Sequence, residues 1–230
     1  MTESPSADAI QAAREHIAYI GKLLFERFLF DAAGGNISVR VGNRIVISPR
    51  YSGSMRHWQL KPEDVLVTDL DRNILDGSGQ LSREVNVHFK LQTEFSEHGT
   101  AVIHAHSRNI LVFASQSRPL PPVLEATRKF GVTPVIEFAP AHSPRLAERV
   151  AASLRGREVR IMGHAAGVIA PYHGLFLMGK DLDAAFDAVE RLDNNAYCIM
   201  MGGMLVGGLG VMENQHKMED IISNYKEAQS

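Results

Sequence analysis

At 230 residues, with 45% hydrophobic and 22% charged side chains, the chain has the composition of a soluble globular protein long enough to bury a full core. A formal net charge of -2 excludes the broad basic field that nucleic acid or an anionic membrane surface requires, and the lone Cys198 excludes an internal disulfide framework. No apolar run approaches a membrane span, and the opening MTESPSADAIQAAREH lacks a charged-then-apolar signal pattern, so one domain over 1–230 in the cytoplasm is expected.

The first helix is predicted from just after Ser6 to about Phe30, because Ile10, Ala13, Ile17, Ile20, Leu24 and Phe28 recur at steps of three or four. ISVRV and RIVIS alternate as strands, with Gly42-Asn43 as the tight turn between them. VLVTDLDRNIL predicts a second strand pair turning at Asp71–Asn73. A helix follows over Arg83 to about Phe95, then the strand AVIHA, then helices over Arg108–Ser115 and Pro144–Leu154. AGVIA and GLFLMG form a later strand pair. Asp181 is placed to cap the long helix after it, since its carboxylate can accept from first-turn amides, and a last helix is expected over Glu213–Glu227. Strands separated by helices, with several hairpins, predict an α/β protein: a three-layer α/β/α domain around a mixed, largely antiparallel sheet.

The stretch VIHAHS places His104 and His106 two residues apart on a strand, so both imidazoles project from one face. His173 precedes another apolar strand and is followed by Gly174, which leaves room beside a ring. Three neutral imidazoles with an open position suit zinc or a similar divalent transition ion, such as Mn2+, Co2+ or Fe2+, better than magnesium or calcium. A lone H-x-H is more often a pair of packed histidines, and spacing alone does not choose between these readings. MMGGMLVGGLGVM is not a phosphate loop, because no Lys-Ser/Thr follows its glycines.

GGNIS (34–38), LSREVNVH (81–88), AVIHAHS (101–107) and HGLFLMGKDLDAAFDAVERLDNNA (173–196) follow in order. Together they resemble the class II aldolase/adducin family over about Ala9 to Met201. The resemblance implies that His104, His106 and His173 ligate a divalent metal, with zinc expected. It implies that Glu84 can ligate the resting metal and then transfer a proton. It also implies a small phosphorylated sugar as substrate, held near Gly35, Asn36, Ser82 and a loop whose candidate donors are Arg50, Ser52, Gly53 and Ser54, and a homotetramer with sites between subunits.

Several positions depart from the L-fuculose-1-phosphate aldolase pattern. Arg83 replaces the second serine of a phosphate-binding pair, and a guanidinium holds either phosphate or carboxylate bidentately. Glu125 aligns loosely with the tyrosine that protonates the leaving aldehyde. A glutamate there is similar to the family's methylthioribulose-1-phosphate dehydratases, and a surface pair with Arg128 or Lys129 is an equal expectation. Tyr225 is a candidate tail-borne acid. The expected activity is zinc-dependent aldol cleavage of a ketose 1-phosphate of fuculose, 5-deoxyribulose or 5-methylthioribulose type. The alternatives are the dehydratase, then a decarboxylase or 4-epimerase of a sugar phosphate, then an adducin-like binding module without catalysis.

Overall fold

The computed structural model describes residues 4–205 and 210–227, without the side chains of 210–215 and 225–227. Helix α1 spans Ala7–Glu26, with the Ser6 hydroxyl accepting from the Ala9 amide at 3.2 Å. It ends earlier than its hydrophobic spacing predicts. Phe28 takes a left-handed φ of 59°, and the Leu29 amide reaches back to the Leu24 carbonyl at 2.8 Å. The turn drives Leu29 and Phe30 into the core while Phe28 faces solvent.

Strands β1 (Asn36–Val41) and β2 (Arg44–Ile47) pair with Val41 opposite Arg44, so Gly42-Asn43 is the two-residue turn, and Gly42 supplies φ 57°. Strands β3 (Leu66–Thr68) and β4 (Ile74–Asp76) form the second hairpin, whose loop is held by the Asp69 carboxylate accepting from the Asp71 and Asn73 amides. Helix α2 runs Val85–Glu94, β5 Ala101–Ala105, α3 Arg108–Ser115 and α4 Pro144–Leu154. The expected helix at Arg83 therefore starts two residues later, with Glu84 at its N-cap. A short α5 (Glu158–Gly163) and a 3-10 turn (Glu125–Phe130) were not expected; neither is long enough to show a periodic apolar face. Strands β6 (Ala165–Ala170) and β7 (Gly174–Gly179) precede α6 (Leu182–Leu205), where the Asp181 carboxylate accepts from the Ala184 amide at 2.7 Å, and α7 (Gly210–Glu227) closes the order. Among the described residues no helix is long and apolar enough to cross a membrane.

The seven strands form one sheet in the order β4-β3-β2-β1-β5-β7-β6. All of its strand pairings are antiparallel. The parallel component expected of a mixed sheet is confined to an isolated bridge, Val135 to Ile169. Ala101, Ile103 and Ala105 of β5 face a core built with α1, α3 and α6, while Val102 faces one built with α2, α4 and α5. This is the three-layer α/β/α arrangement. Helices cover both faces of β5, and all five of its residues are buried.

Two polar residues of α6 hold distant segments, one of them the start of α3 just after His106. The Asp193 carboxylate accepts from the Asn109 and Ile110 amides, capping α3 directly after His106 and Ser107. The Asn195 amide oxygen accepts from Val123 and Leu124, and its nitrogen donates to the Pro121 carbonyl. The LDNNA stretch thus clamps two loops to one helix.

On the other face, His88 of α2 contacts the Ser38 hydroxyl of β1 through Nδ1 at 2.8 Å, and Gln92 donates to that hydroxyl as well. Burial depresses the His88 pKa to about 3. Because the folded value lies below the unfolded 6.5, the unfolded chain binds a proton that the folded chain refuses. The neutral ring's contribution is complete above pH 6.5 and is lost progressively as pH falls toward 3. At about 1.36 kcal/mol per pH unit, some 2 kcal/mol goes between pH 6.5 and 5. Urea midpoints of the metal-free protein at pH 7.5 and 5 are expected to show this loss. A His88→Asn variant, which keeps a group at the Nδ1 position, is expected to show a flatter slope. An equal slope in both proteins would place the acid sensitivity elsewhere.

Candidate metal centre

The sheet register assembles the three histidines. His104 lies opposite Phe176 and Ala105 opposite Leu175, so the end of β5 meets the start of β7. His106 stands one residue beyond β5, and His173 sits in the turn closed by the Ala170–Gly174 pair. The ring centroids of His104 lie 4.9 Å from those of His106 and 4.7 Å from those of His173. One ligand nitrogen from each ring falls within 4.8 Å of the others.

Their second nitrogens bear on whether a metal fits. His104 Nδ1–H donates to the Leu175 carbonyl at 2.9 Å, which leaves Nε2 with its lone pair, while the ring stacks on Phe176 at 4.1 Å. His106 Nδ1 lies 3.3 Å from Asp31 Oδ1, and its buried Nε2 has no hydrogen-bond partner. His173 Nδ1 is likewise buried and unpartnered. Burial, then the charges of neighbouring histidines, holds the His104 pKa well below its usual value and lowers His173 to about 4. Neutral imidazoles with unshared nitrogens aimed at one point are what a borderline divalent ion requires. The residues present fit zinc.

Glycines keep this space open. A Cβ on Gly34 would stand 2.1 Å from the His106 ring, and one on Gly174 would stand 2.5 Å from the Ala105 carbonyl oxygen and 3.1 Å from the same ring. Asp31 organises the loop beneath, its Oδ1 accepting from the Ala33 and Gly34 amides at 2.9 and 2.6 Å. Asp31 therefore both shapes the glycine loop and orients His106. An Asp31→Asn variant is expected to weaken zinc affinity about 10- to 100-fold with the fold retained, as measured by competition with a chelating dye. Unchanged affinity would reduce Asp31 to a loop residue.

Glu84 closes the other side. Its carboxylate is 5% exposed, with Oε1 3.3 Å from His173 Nε2 and 2.7 Å from His142 Nδ1. These are ion-pair distances without straight hydrogen-bond geometry, and no side chain hydrogen-bonds either carboxylate oxygen among the described residues. Burial raises the Glu84 pKa to about 7, against the opposing pulls of the His142 main chain and the Arg83 charge. A carboxyl poised there can both give and take a proton near neutrality.

The cleft above these residues has a volume of about 270 Å³. Gly35, Asn36, Ser54, Ser82, Arg83 and Arg50 line its anion-friendly side. Ser82 Oγ also accepts from the Glu84 amide at 3.2 Å. Arg50 lies over the Tyr51 ring at 4.7 Å, and its Nε is buried without a partner. Gly53 lines the cleft and packs against main chain, where a Cβ would meet the Asp31 carbonyl at 2.6 Å. Ser52 differs from expectation. Its buried hydroxyl donates to the Pro49 carbonyl at 2.6 Å, and Ser54 faces the cleft instead.

Glu125 lies exposed in the 3-10 turn and does not line this cleft. The surface pair expected with Arg128 is replaced by Arg128 with Glu219 at 2.7 and 2.5 Å. The Tyr225 side chain lies outside the described residues. Two residues that touch the site carried no distinguishing sequence signal. Asp31 merely precedes the GGN stretch, and His142 is one isolated histidine among several.

The layers define an α/β protein whose three-histidine cluster could hold a metal ion. Residues 15–200 match the model of the class II aldolase and adducin N-terminal domain, and the chain belongs to that family. It is 29% identical over 178 residues to an L-fuculose phosphate aldolase of Methanococcus maripaludis, covering 76% of this chain and 88% of the relative. It is 27% identical over 186 residues to a 5-deoxy-D-ribulose 1-phosphate aldolase of Bacillus thuringiensis, covering 80% and 82%. A solved L-fuculose 1-phosphate aldolase superposes with a TM-score of 0.74 at 24% identity, over 93% of this chain and 97% of that one, a likeness of fold.

Proposed function

We propose that the protein is a zinc-dependent aldolase that cleaves a ketose 1-phosphate to dihydroxyacetone phosphate and a short aldehyde. The observation that carries this reading is the convergence of His104, His106, His173 and the near-neutral carboxyl of Glu84 in one cleft whose other side carries Arg50 and Arg83. Zinc held by the three imidazoles supplies an electrophile that stabilises negative charge on a substrate carbonyl oxygen. Glu84 delivers or removes the proton at the carbon beside it. Arg83, with Gly35, Asn36, Ser54 and Ser82, binds the phosphate and so fixes which carbon faces Glu84. Arg50 adds a second guanidinium on the same side.

Glu125 lies outside its own chain's cleft, so a catalytic role for it requires a neighbouring subunit. The largely exposed Phe28 and Tyr172, which adjoin ligand-bearing segments, support an assembly with sites between copies, which the family resemblance makes a homotetramer. Light scattering after gel filtration tests the assembly, and a monomer would remove it.

The substrate test is to incubate zinc-loaded protein with 5-methylthioribulose 1-phosphate, 5-deoxyribulose 1-phosphate and fuculose 1-phosphate and to identify products. Dihydroxyacetone phosphate is expected. A dehydrated diketone phosphate would replace cleavage by elimination, and no turnover of any of them would overturn the ketose-phosphate reading.

A further inference from the structure

His142 reaches the cleft from a segment that none of the family-like motifs includes. It lies between the 3-10 turn and α4, two residues before the helix, and its backbone is left-handed at φ 68°. Asn86 of α2 donates to its carbonyl at 2.7 Å, and the Ser143 hydroxyl beside it donates to the Pro140 carbonyl at 2.7 Å. Side-chain contacts thus hold an otherwise uncommon conformation on both sides. The result brings Nδ1 to 2.7 Å from Glu84 Oε1, an ion-pair distance without hydrogen-bond alignment. The imidazole is 39% exposed where the carboxylate is 5% exposed, so it spans from the buried acid to the open cleft.

Glu84 has few other constraints. It is the N-cap residue of α2, yet its side chain makes no capping bond. Among the described residues no side chain hydrogen-bonds either carboxylate oxygen; the other close groups are the His142 main-chain N–H and His173 Nε2, on a ring that would hold the metal. Among the described residues, His142 is the side chain that stands within 3 Å of the carboxylate, and His173 lies at 3.3 Å. Arg83 and Arg50 line the same cleft as His142.

We infer that His142 is the positioning residue for Glu84, setting through Nδ1 which carboxylate oxygen faces the substrate. This rests on the aldolase reading for its kinetic consequence but not for its structural one. A generic structural role for His142 would be satisfied by any residue that tolerates the turn; a positioning role needs a polar atom where Nδ1 stands. Two variants separate these. His142→Gly accepts the left-handed backbone and removes the contact, whereas His142→Asn also tolerates that backbone and keeps an amide at the Nδ1 position.

The experiment is to solve crystal structures of zinc-loaded wild type, His142→Gly and His142→Asn, and to measure kcat and KM of each with the best substrate found. In His142→Gly the Glu84 carboxylate is expected to rotate from its wild-type place, and kcat to fall about 10- to 100-fold, with KM within about twofold and zinc at full occupancy. His142→Asn is expected to hold the carboxylate and keep kcat within about threefold of wild type. A Glu84 position unchanged in His142→Gly, or an equal loss in both variants, overturns the inference. If wild type turns over none of the sugar phosphates, the substrate reading fails, and the carboxylate position in the two variants still decides the role of His142.

Discussion

Replacing His106 with alanine is expected to abolish stoichiometric zinc binding and to lower kcat at least about 10³-fold, with the protein still folded. The choice among the three ligands follows from what else each ring does. His104 is 1% exposed, donates to the Leu175 carbonyl and stacks on Phe176, so truncating it damages the sheet as well as the site. His106 stands beyond the end of β5, and its Nδ1 touches only Asp31. Its loss leaves two imidazoles, too few for a site that normally keeps three protein ligands and one open position. Losing the electrophile removes at least about 4 kcal/mol of transition-state stabilisation, which is the expected thousandfold. Elemental analysis gives the metal content, and far-ultraviolet circular dichroism with a urea titration confirms the fold. A His106→Ala protein that kept one zinc per chain would move the centre away from these histidines. One that lost zinc and kept activity would end the metal-dependent reading altogether.

The second large effect is expected at Glu84, with the opposite division between binding and chemistry. Glu84→Gln keeps size and polarity but cannot exchange a proton, so zinc occupancy and KM should hold while kcat falls about 10²- to 10⁴-fold. Stability should move the other way. Burial lifts the Glu84 pKa to about 7 from the usual 4.5. A folded value above the unfolded one means the native state holds its proton longer. The stabilisation this gives is complete below pH 4.5 and is lost as pH rises through 7. At pH 8 the metal-free wild type thus carries a buried carboxylate with no side-chain hydrogen bond, which glutamine relieves by about 1–3 kcal/mol. Metal-free Glu84→Gln is therefore expected to unfold at higher urea than wild type at pH 8, and the two to converge at pH 5. A variant less stable at both pH values would show that Glu84 supports the fold. Stability surrendered at a functional position is common where catalysis needs a group that folding disfavours.

The two hairpins were legible because their turns carry their own chemistry: Gly42 supplies a positive φ, and Asp69 bonds the amides of its own loop. The H-x-H pair was legible because a strand's period of two places His104 and His106 on one side whatever the fold. What stayed hidden depends on distant chain. Nothing local marks Phe28 as the place where α1 must turn; that follows from burying Leu29 and Phe30. Asp31 became significant only when pairing of β1 with β5 set its loop under His106. Asp193 and Asn195 read as polar helix residues until their partners, 84 and 72 residues away, were in place. Ser52 and Ser54 are alike in sequence; one closes a turn and the other faces the cleft.

The order of strands also bears on how the protein comes into being. Strand β1 lies beside β5, and β5 beside β7, so the centre of the sheet is zipped from pieces far apart along the chain. Closing such long loops before any contact rewards them is slow, and folding on the scale of milliseconds to seconds is typical of sheets built this way. His104 and His173 meet only when the last of those central pairings forms. An ion held by these residues would therefore not nucleate the chain, as it does in a small zinc finger, and would enter a finished cavity. Refolding rates should be indifferent to added zinc, while the rate of unfolding slows in its presence.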